Sequence, residues 1–163
     1  MRAVKFTGST QGGQSIAEQC GKYIKKGTFE LSGNDPFIVL EDANLEKAVQ
    51  TAYKSRMNCN AQTGFAAKRI IVCQGVYDEF RDRLLDIIKR KTVIGDPLDY
   101  STNLGPLADK NHLALLKHNL KVAIERDGAR VIQGRLDYEI DDSDLSEGNW
   151  FAPVVIEGTD IES

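Results

Sequence analysis

Cysteine is scarce in this sequence and does not pair: Cys20, Cys59 and Cys73 are odd in number, irregularly spaced and contain no Cys-x-x-Cys. That excludes a disulfide framework and implies free, mostly buried thiols in a reducing compartment, with the chain intracellular, either cytoplasmic or mitochondrial. Histidine is scarcer still. His112 and His118 stand six residues apart, a spacing that does not bring two side chains to one helical face, so they read as surface histidines and not as a metal pair. Asp141, Asp142 and Asp144 lack the regular oxygen-ligand spacing of a calcium loop and read as solvated charge, so no metal site is expected. No apolar run approaches the ~20 residues that cross a bilayer, and no signal-peptide pattern opens the chain. A net charge of −3 is too mild to point to nucleic acid or to an anionic membrane surface. Internal repeats and low-complexity segments are absent.

What is present is the composition of a soluble globular domain: 163 residues, 41% hydrophobic and 28% charged, enough for one core. Val4-Lys5-Phe6 reads as a strand that enters a glycine-rich turn at Gly8 and then a helix to about Tyr23. Strands are expected over 27–31, 36–40, 68–73 and 129–133, from their short apolar or β-branched runs. Asp42 or Asn44 can cap a helix carrying Leu45, Val49, Ala52 and Tyr53 on one face. Val76, Phe80, Leu84, Ile87 and Ile88 give a second helix over 76–90, and 110–126 gives a third, stopped by Asp127-Gly128. The acidic stretch 137–147 reads as a solvated connection. Alternating strands and helices predict a parallel-rich α/β sheet.

Five motifs then occur in order. Phe6-Thr7-Gly8-Ser9-Thr10-Gln11-Gly12-Gly13 is a strand–turn–helix start. Phe29-Glu30-Leu31-Ser32-Gly33 follows, and Asn60-Ala61-Gln62-Thr63-Gly64-Phe65-Ala66-Ala67-Lys68-Arg69 places Gly64 thirty-four residues beyond Glu30. Gly95-Asp96-Pro97 with Thr102-Asn103-Leu104-Gly105-Pro106-Leu107, and Trp150-Phe151-Ala152-Pro153-Val154-Val155, complete the series. Together they resemble the cofactor, general-base, nucleophile, Gly-Pro-Leu and late-strand segments of the aldehyde dehydrogenase superfamily, at the spacing of that superfamily. Asn34-Asp35-Pro36-Phe37-Ile38-Val39 and Arg56-Met57-Asn58 lean toward its succinate-semialdehyde branch.

The resemblance implies an α/β fold of aldehyde dehydrogenase catalytic-domain type with a remnant of the Rossmann cofactor domain: residues 1–29 as the remnant, 30–163 as a partial catalytic domain. It also implies a truncated chain, without the first Rossmann strands upstream and without the later Glu-Glu-x-Phe-Gly-Pro segment. The family reaction is oxidation of an aldehyde to an acid by NAD or NADP through a cysteine thioester. Here the position of the nucleophile is Gly64, which has no side chain to attack a carbonyl carbon. Glu30 matches the family's general base, and Ser9 and Gly13 match cofactor-contacting positions at a helix start. With most of the cofactor domain outside the chain, Ser9 and Gly13 read as an ordinary glycine-rich turn and no bound cofactor is expected. Glu30 reads as a retained relic or an ion-pair partner. Gln62 and Arg69 are expected to hold the loop. Ser32 and Ala61 stand where the family has glycine, so three site positions have changed while the core motifs persist. Cys59, five residues before Gly64, is a poor substitute nucleophile because nothing around it suggests an oxyanion site.

Two readings remain. In the first, the chain is catalytically silent and structural, a component of a complex with other protein subunits that cover its open edges. In the second, it is part of an NAD(P)-dependent semialdehyde dehydrogenase whose remaining parts come from elsewhere. A fragment of a longer polypeptide is a third possibility.

Overall fold

The structure, a computed structural model, describes residues 1–141 and 143–158. Strand β1 (Ala3–Thr7) leads into helix α1 (Thr10–Lys22), and β2 (Lys26–Glu30) returns parallel to β1, with Phe6 opposite Phe29 and Thr7 opposite Glu30. The Ser9 hydroxyl caps α1 by accepting from the Gly12 N–H at 3.1 Å, satisfying one of the orphan donors of the first turn.

The second unit contains β3 (Pro36–Val39), α2 (Leu45–Met57), β4 (Arg69–Val72) and α3 (Tyr77–Lys91). Asn44, one of the two expected caps, accepts from the Lys47 N–H at 3.0 Å. In α3 the acids Asp78 and Glu79 occupy the first turn and Lys89, Arg90 and Lys91 the last, the arrangement that opposes the helix dipole at both ends. Val39, Val49, Ala52, Tyr53, Phe80, Leu84, Ile87 and Ile88 form the core between these two helices and the β3–β4 pair. Phe80, Ile87 and Val39 are each 1% exposed, so each contributes roughly 1.5–3 kcal/mol of transfer free energy.

The third unit is α4 (Lys110–Glu125), β5 (Arg130–Gln133) and β6 (Val155–Glu157). Asp109 caps α4 by accepting from the N–H groups of Asn111 and His112 at 2.8 and 2.9 Å. These bonds, first the one from His112, hold the Asp109 carboxyl below the ordinary carboxylate range. No residue of α4 is fully buried.

Two expectations need correction. Among the described residues the strands form three separate pairs and not one sheet: β1–β2 and β3–β4 are parallel, whereas β5–β6 is antiparallel. Parallel pairing needs a crossover, usually helical, and the described residues between β5 and β6 carry only a short 3₁₀ turn at Ser143–Leu145. The thiols are not mostly buried: Cys20 is, Cys73 is half-buried, and Cys59 is exposed at a left-handed turn residue. Asp142 lies outside the described residues, while Asp141 and Asp144 are exposed, and among the described residues no cluster of metal-ligating side chains occurs. His112 and His118 are both exposed, as expected, with His112 Nδ1 against Asp109 at 2.7 Å.

Candidate functional site

The end of β2 is the hub of the site. The carbonyl of Glu30 accepts from the Gly8 N–H at 3.0 Å, which ties the turn before α1 to the base of the following loop. Gly13, buried in α1, lies under Leu31: a Cβ at Gly13 would stand 2.4 Å from Leu31 Cδ2. The next contact is from Leu31 to the 60–68 loop, because the Leu31 carbonyl faces the point where a Cβ on Gly64 would stand, 3.6 Å away. Ser9, Gly13, Glu30 and Gly64 therefore belong to one connected neighbourhood, built from a strand end, a helix start and two loops.

Two basic side chains clasp these loops. Lys68 Nζ donates to the carbonyls of Gly33 and, at 3.2 Å, of Gly64. Arg69 donates through Nε and Nη2 to the carbonyl of Asn34, at 3.2 and 2.8 Å. The approach is close enough that Gly33 has no room for a side chain: a Cβ there would lie 2.8 Å from the Gly64 carbonyl oxygen. Gly64 differs. Its backbone is outside the left-handed region and the 3.6 Å contact with Leu31 is ordinary, so a side chain fits. Nothing in the local backbone demands glycine at the position of the nucleophile.

On its other flank the loop is held by Asn60 and Gln62. Asn60 donates to the Pro106 carbonyl at 2.9 Å and accepts from the Gly105 N–H at 3.1 Å, while Gln62 Oε1 accepts from the Ala108 N–H at 2.9 Å. Between these anchors Cys59, Asn60 and Ala61 all have positive φ, at 50°, 55° and 61°. Asparagine tolerates that region, whereas cysteine and alanine are held there at a cost of about 1–2 kcal/mol each. The Thr63 hydroxyl is buried without a hydrogen-bond partner. The expected positioning roles of Gln62 and Arg69 thus correspond to real contacts. Asn60 and Lys68 lie within the loop motif, but the distant backbone that each reaches escaped sequence reasoning.

The glycine-rich turn is packed from within. The Gly12 N–H is taken by Ser9, and the space that Cβ atoms would fill at Gly8 and Gly13 is occupied by the Phe6 ring and by Leu31. Those glycines serve internal packing. Beside Gly64, an open groove of about 520 Å³ is lined by Tyr53, Lys54, Ser55, Met57, Asn58, Phe65 and Asn103. Phe65 is 70% exposed at its edge. Arg56, on the same turn of α2, is half-buried, and burial lowers its guanidinium pKa. None of Ser9, Gly13 or Glu30 lines this groove.

The chain belongs to the aldehyde dehydrogenase family, which it matches over residues 1–163. It is 41% identical over 156 residues to the NADP-dependent succinate-semialdehyde dehydrogenase of Escherichia coli, covering 96% of this chain and 31% of that protein. It is 40% identical over 156 residues to a glutarate-semialdehyde dehydrogenase of Pseudomonas putida, covering 96% and 30%. Among solved structures, an NADP-dependent enzyme of E. coli superimposes with a TM-score of 0.86 at 40% identity, over 96% of this chain and 31% of that one. A betaine aldehyde dehydrogenase of Staphylococcus aureus, in complex with NAD+, gives 0.88 at 29% identity, over 98% and 31%. The chain thus spans about a third of the length of the relatives it matches. Among the described residues, no helix is long and apolar enough to cross a membrane.

Proposed function

We propose that this chain is a non-catalytic member of the aldehyde dehydrogenase family that serves as a structural component of an intracellular protein complex. The observation that carries the reading is Gly64. The thioester route needs a thiolate at that position, glycine has none, and the backbone there leaves room for a side chain. The loops around it remain clasped by Lys68, Arg69, Asn60 and Gln62, so architecture is retained where chemistry is lost. Residues 1–29 act as a remnant of the nucleotide-binding domain and residues 30–163 as part of the catalytic domain. Glu30 then has no thioester to hydrolyse, and Ser9 and Gly13 are packing residues that do not contact a cofactor.

A second reading rests on the succinate- and glutarate-semialdehyde dehydrogenases among the relatives: the chain as part of an NAD(P)-dependent semialdehyde dehydrogenase. The two are separated by titrating the purified chain with NAD and NADP by calorimetry, and by assaying succinate semialdehyde oxidation at 340 nm. The structural reading expects no saturable heat and no turnover. Saturable binding with turnover removes it.

A further inference from the structure

Helix α1 closes in a Schellman turn. The Lys25 N–H reaches back to the Cys20 carbonyl at 2.8 Å, and the Ile24 N–H to the Gly21 carbonyl at 3.1 Å. That geometry puts the residue after the cap in the left-handed region, where glycine is the usual occupant. Gly128 fills the role after α4, at φ 70°. After α1 the residue is Ile24, at φ 48°. A β-branched side chain is a poor occupant of that region, and no packing offsets the strain, because Ile24 is 94% exposed. Isoleucine is thus unfavourable here on two counts, backbone strain and apolar exposure. An outlier of this kind points to a use outside the fold.

The surroundings of Ile24 indicate the use. Tyr23 is 61% exposed, and Lys22, Lys25 and Lys26 are exposed beside it. Among the described residues none of these lysines forms an ion pair, and Lys22 instead lies over the Tyr23 ring, 5.7 Å from its centroid. Lys22, in the last turn of α1, also suits the helix dipole, whereas Lys25 and Lys26 lie beyond the helix. Lys26 stands opposite Ala3, which brings Arg2 to the same end of the β1–β2 pair. Residues 1–30 carry five basic side chains against Glu18 and Glu30, so the net charge of −3 conceals a local basic excess. The other end of the pair, where Glu30 meets Gly8, belongs to the candidate site and lies roughly 16 Å away along the strand.

We propose that the Tyr23–Ile24 turn docks the protein on an anionic lipid bilayer. Ile24 and the Tyr23 ring enter the headgroup layer, and Lys22, Lys25 and Lys26 lie against lipid phosphates and carboxylates. The inference goes beyond the structural-component reading and does not rest on it, since the turn and the Gly64 loop are at opposite ends of β1–β2. Charge complementarity selects an anionic partner, and Ile24 selects lipid among anionic partners. An aliphatic apex needs an apolar receiver, which the acyl boundary supplies at every point of its surface. A single-stranded nucleic acid needs stacking faces along a basic groove, and this turn offers one ring with Lys22 already over it.

The test is flotation of the full chain with phosphatidylcholine vesicles, alone or with about 30% phosphatidylserine, at low and at high salt. The expected result is salt-sensitive binding to the anionic vesicles, about tenfold or more above binding to the neutral ones. Lys25→Glu with Lys26→Glu should weaken it about twentyfold or more, since one lysine near such a surface corresponds to about fivefold. Ile24→Gly is the decisive variant. By relieving the left-handed backbone it should raise the urea midpoint or leave it unchanged, while weakening vesicle binding about fivefold or more. A residue needed only for the fold would show the reverse. Lys117→Glu, exposed on α4, should leave binding unchanged. The proposal is overturned if anionic vesicles bind no better than neutral ones, or if Ile24→Gly binds as well as the parent. It is equally overturned if Ile24→Gly lowers the urea midpoint, or if a single-stranded oligonucleotide displaces the chain from the vesicles.

Discussion

Helices α3 and α4 are nearly equal in length, 15 and 16 residues, and both carry an aliphatic stripe, yet their surroundings are opposite. In α3 the stripe buries Phe80, Leu84, Ile87 and Ile88 against α2 and the β3–β4 pair. In α4 the stripe of Leu113, Leu116 and Leu120 stays half-buried and Leu115 is 55% exposed. Periodicity specifies which face of a helix is meant to be covered. Whether a covering element is present depends on the rest of the fold. The molecule thus combines a closed centre with an open flank, and the candidate site lies along the loops joining them.

The sharpest way to break this comparison is to truncate one side chain in each helix. Phe80→Ala is expected to lower unfolding free energy in urea by about 3–5 kcal/mol, from lost transfer energy and a residual cavity. Leu116→Ala, half-exposed, should cost under about 1 kcal/mol. Equal losses would mean that α4 is as firmly packed as α3.

A smaller effect is expected at the site, where the same contrast recurs between two glycines. Gly33→Ala drives a Cβ toward the Gly64 carbonyl and should cost about 1–3 kcal/mol, with faster hydrogen exchange in residues 31–35. Gly64→Ala should fall within about 0.5 kcal/mol of the parent. If Gly64→Ala is as damaging as Gly33→Ala, glycine at 64 is there for the backbone and the case for lost chemistry weakens. In the strained turn, Ala61→Gly should raise stability by about 0.5–1 kcal/mol, since relief of the left-handed backbone outweighs the added entropy of the unfolded chain. An unchanged or lower urea midpoint would show that Asn60 relieves the turn without help.

The smallest effect concerns how the open flank is tied to the closed centre. Glu157 on β6 accepts from the Tyr77 hydroxyl of α3 at 2.5 Å and pairs with Arg130 of β5. Those partners, Tyr77 foremost, lower the carboxyl pKa, and Glu157 in turn raises that of the Tyr77 phenol. A lowered folded value means that the contribution is fully present above the ordinary carboxylate range and is lost as pH falls through the folded value. Urea midpoints taken from neutral pH into the acid range should therefore fall less steeply for Glu157→Gln than for the parent. Parallel slopes would show that this tie does not couple the two regions.

Much of this arrangement was legible before any coordinates. The cap at Asn44 is one of the two the sequence offered, and the α3 stripe is the one its spacing predicted, because local hydrogen bonding and periodicity are written into neighbouring residues. The connected placement of Gly13, Glu30 and Gly64 depended on the ordered motifs and their spacing. The clasp of Lys68 across two carbonyls was not legible, since a lysine in a loop gives no hint of which distant backbone it will reach. Nor was the obligate character of Gly33 as against the optional character of Gly64, because both are simply glycine in the chain.

The residues by themselves determined the elements, the family, and the missing thiol at position 64, since each is a property of one residue or of a short run. The tertiary structure alone decided that the strands pair in three separate twos, that Cys59 is exposed, and that Ile38 and Ile71 face water while Val39 does not. Those outcomes depend on which surfaces meet, and contact between residues far apart in the chain is set by packing and the closure of intervening loops, not by any local pattern.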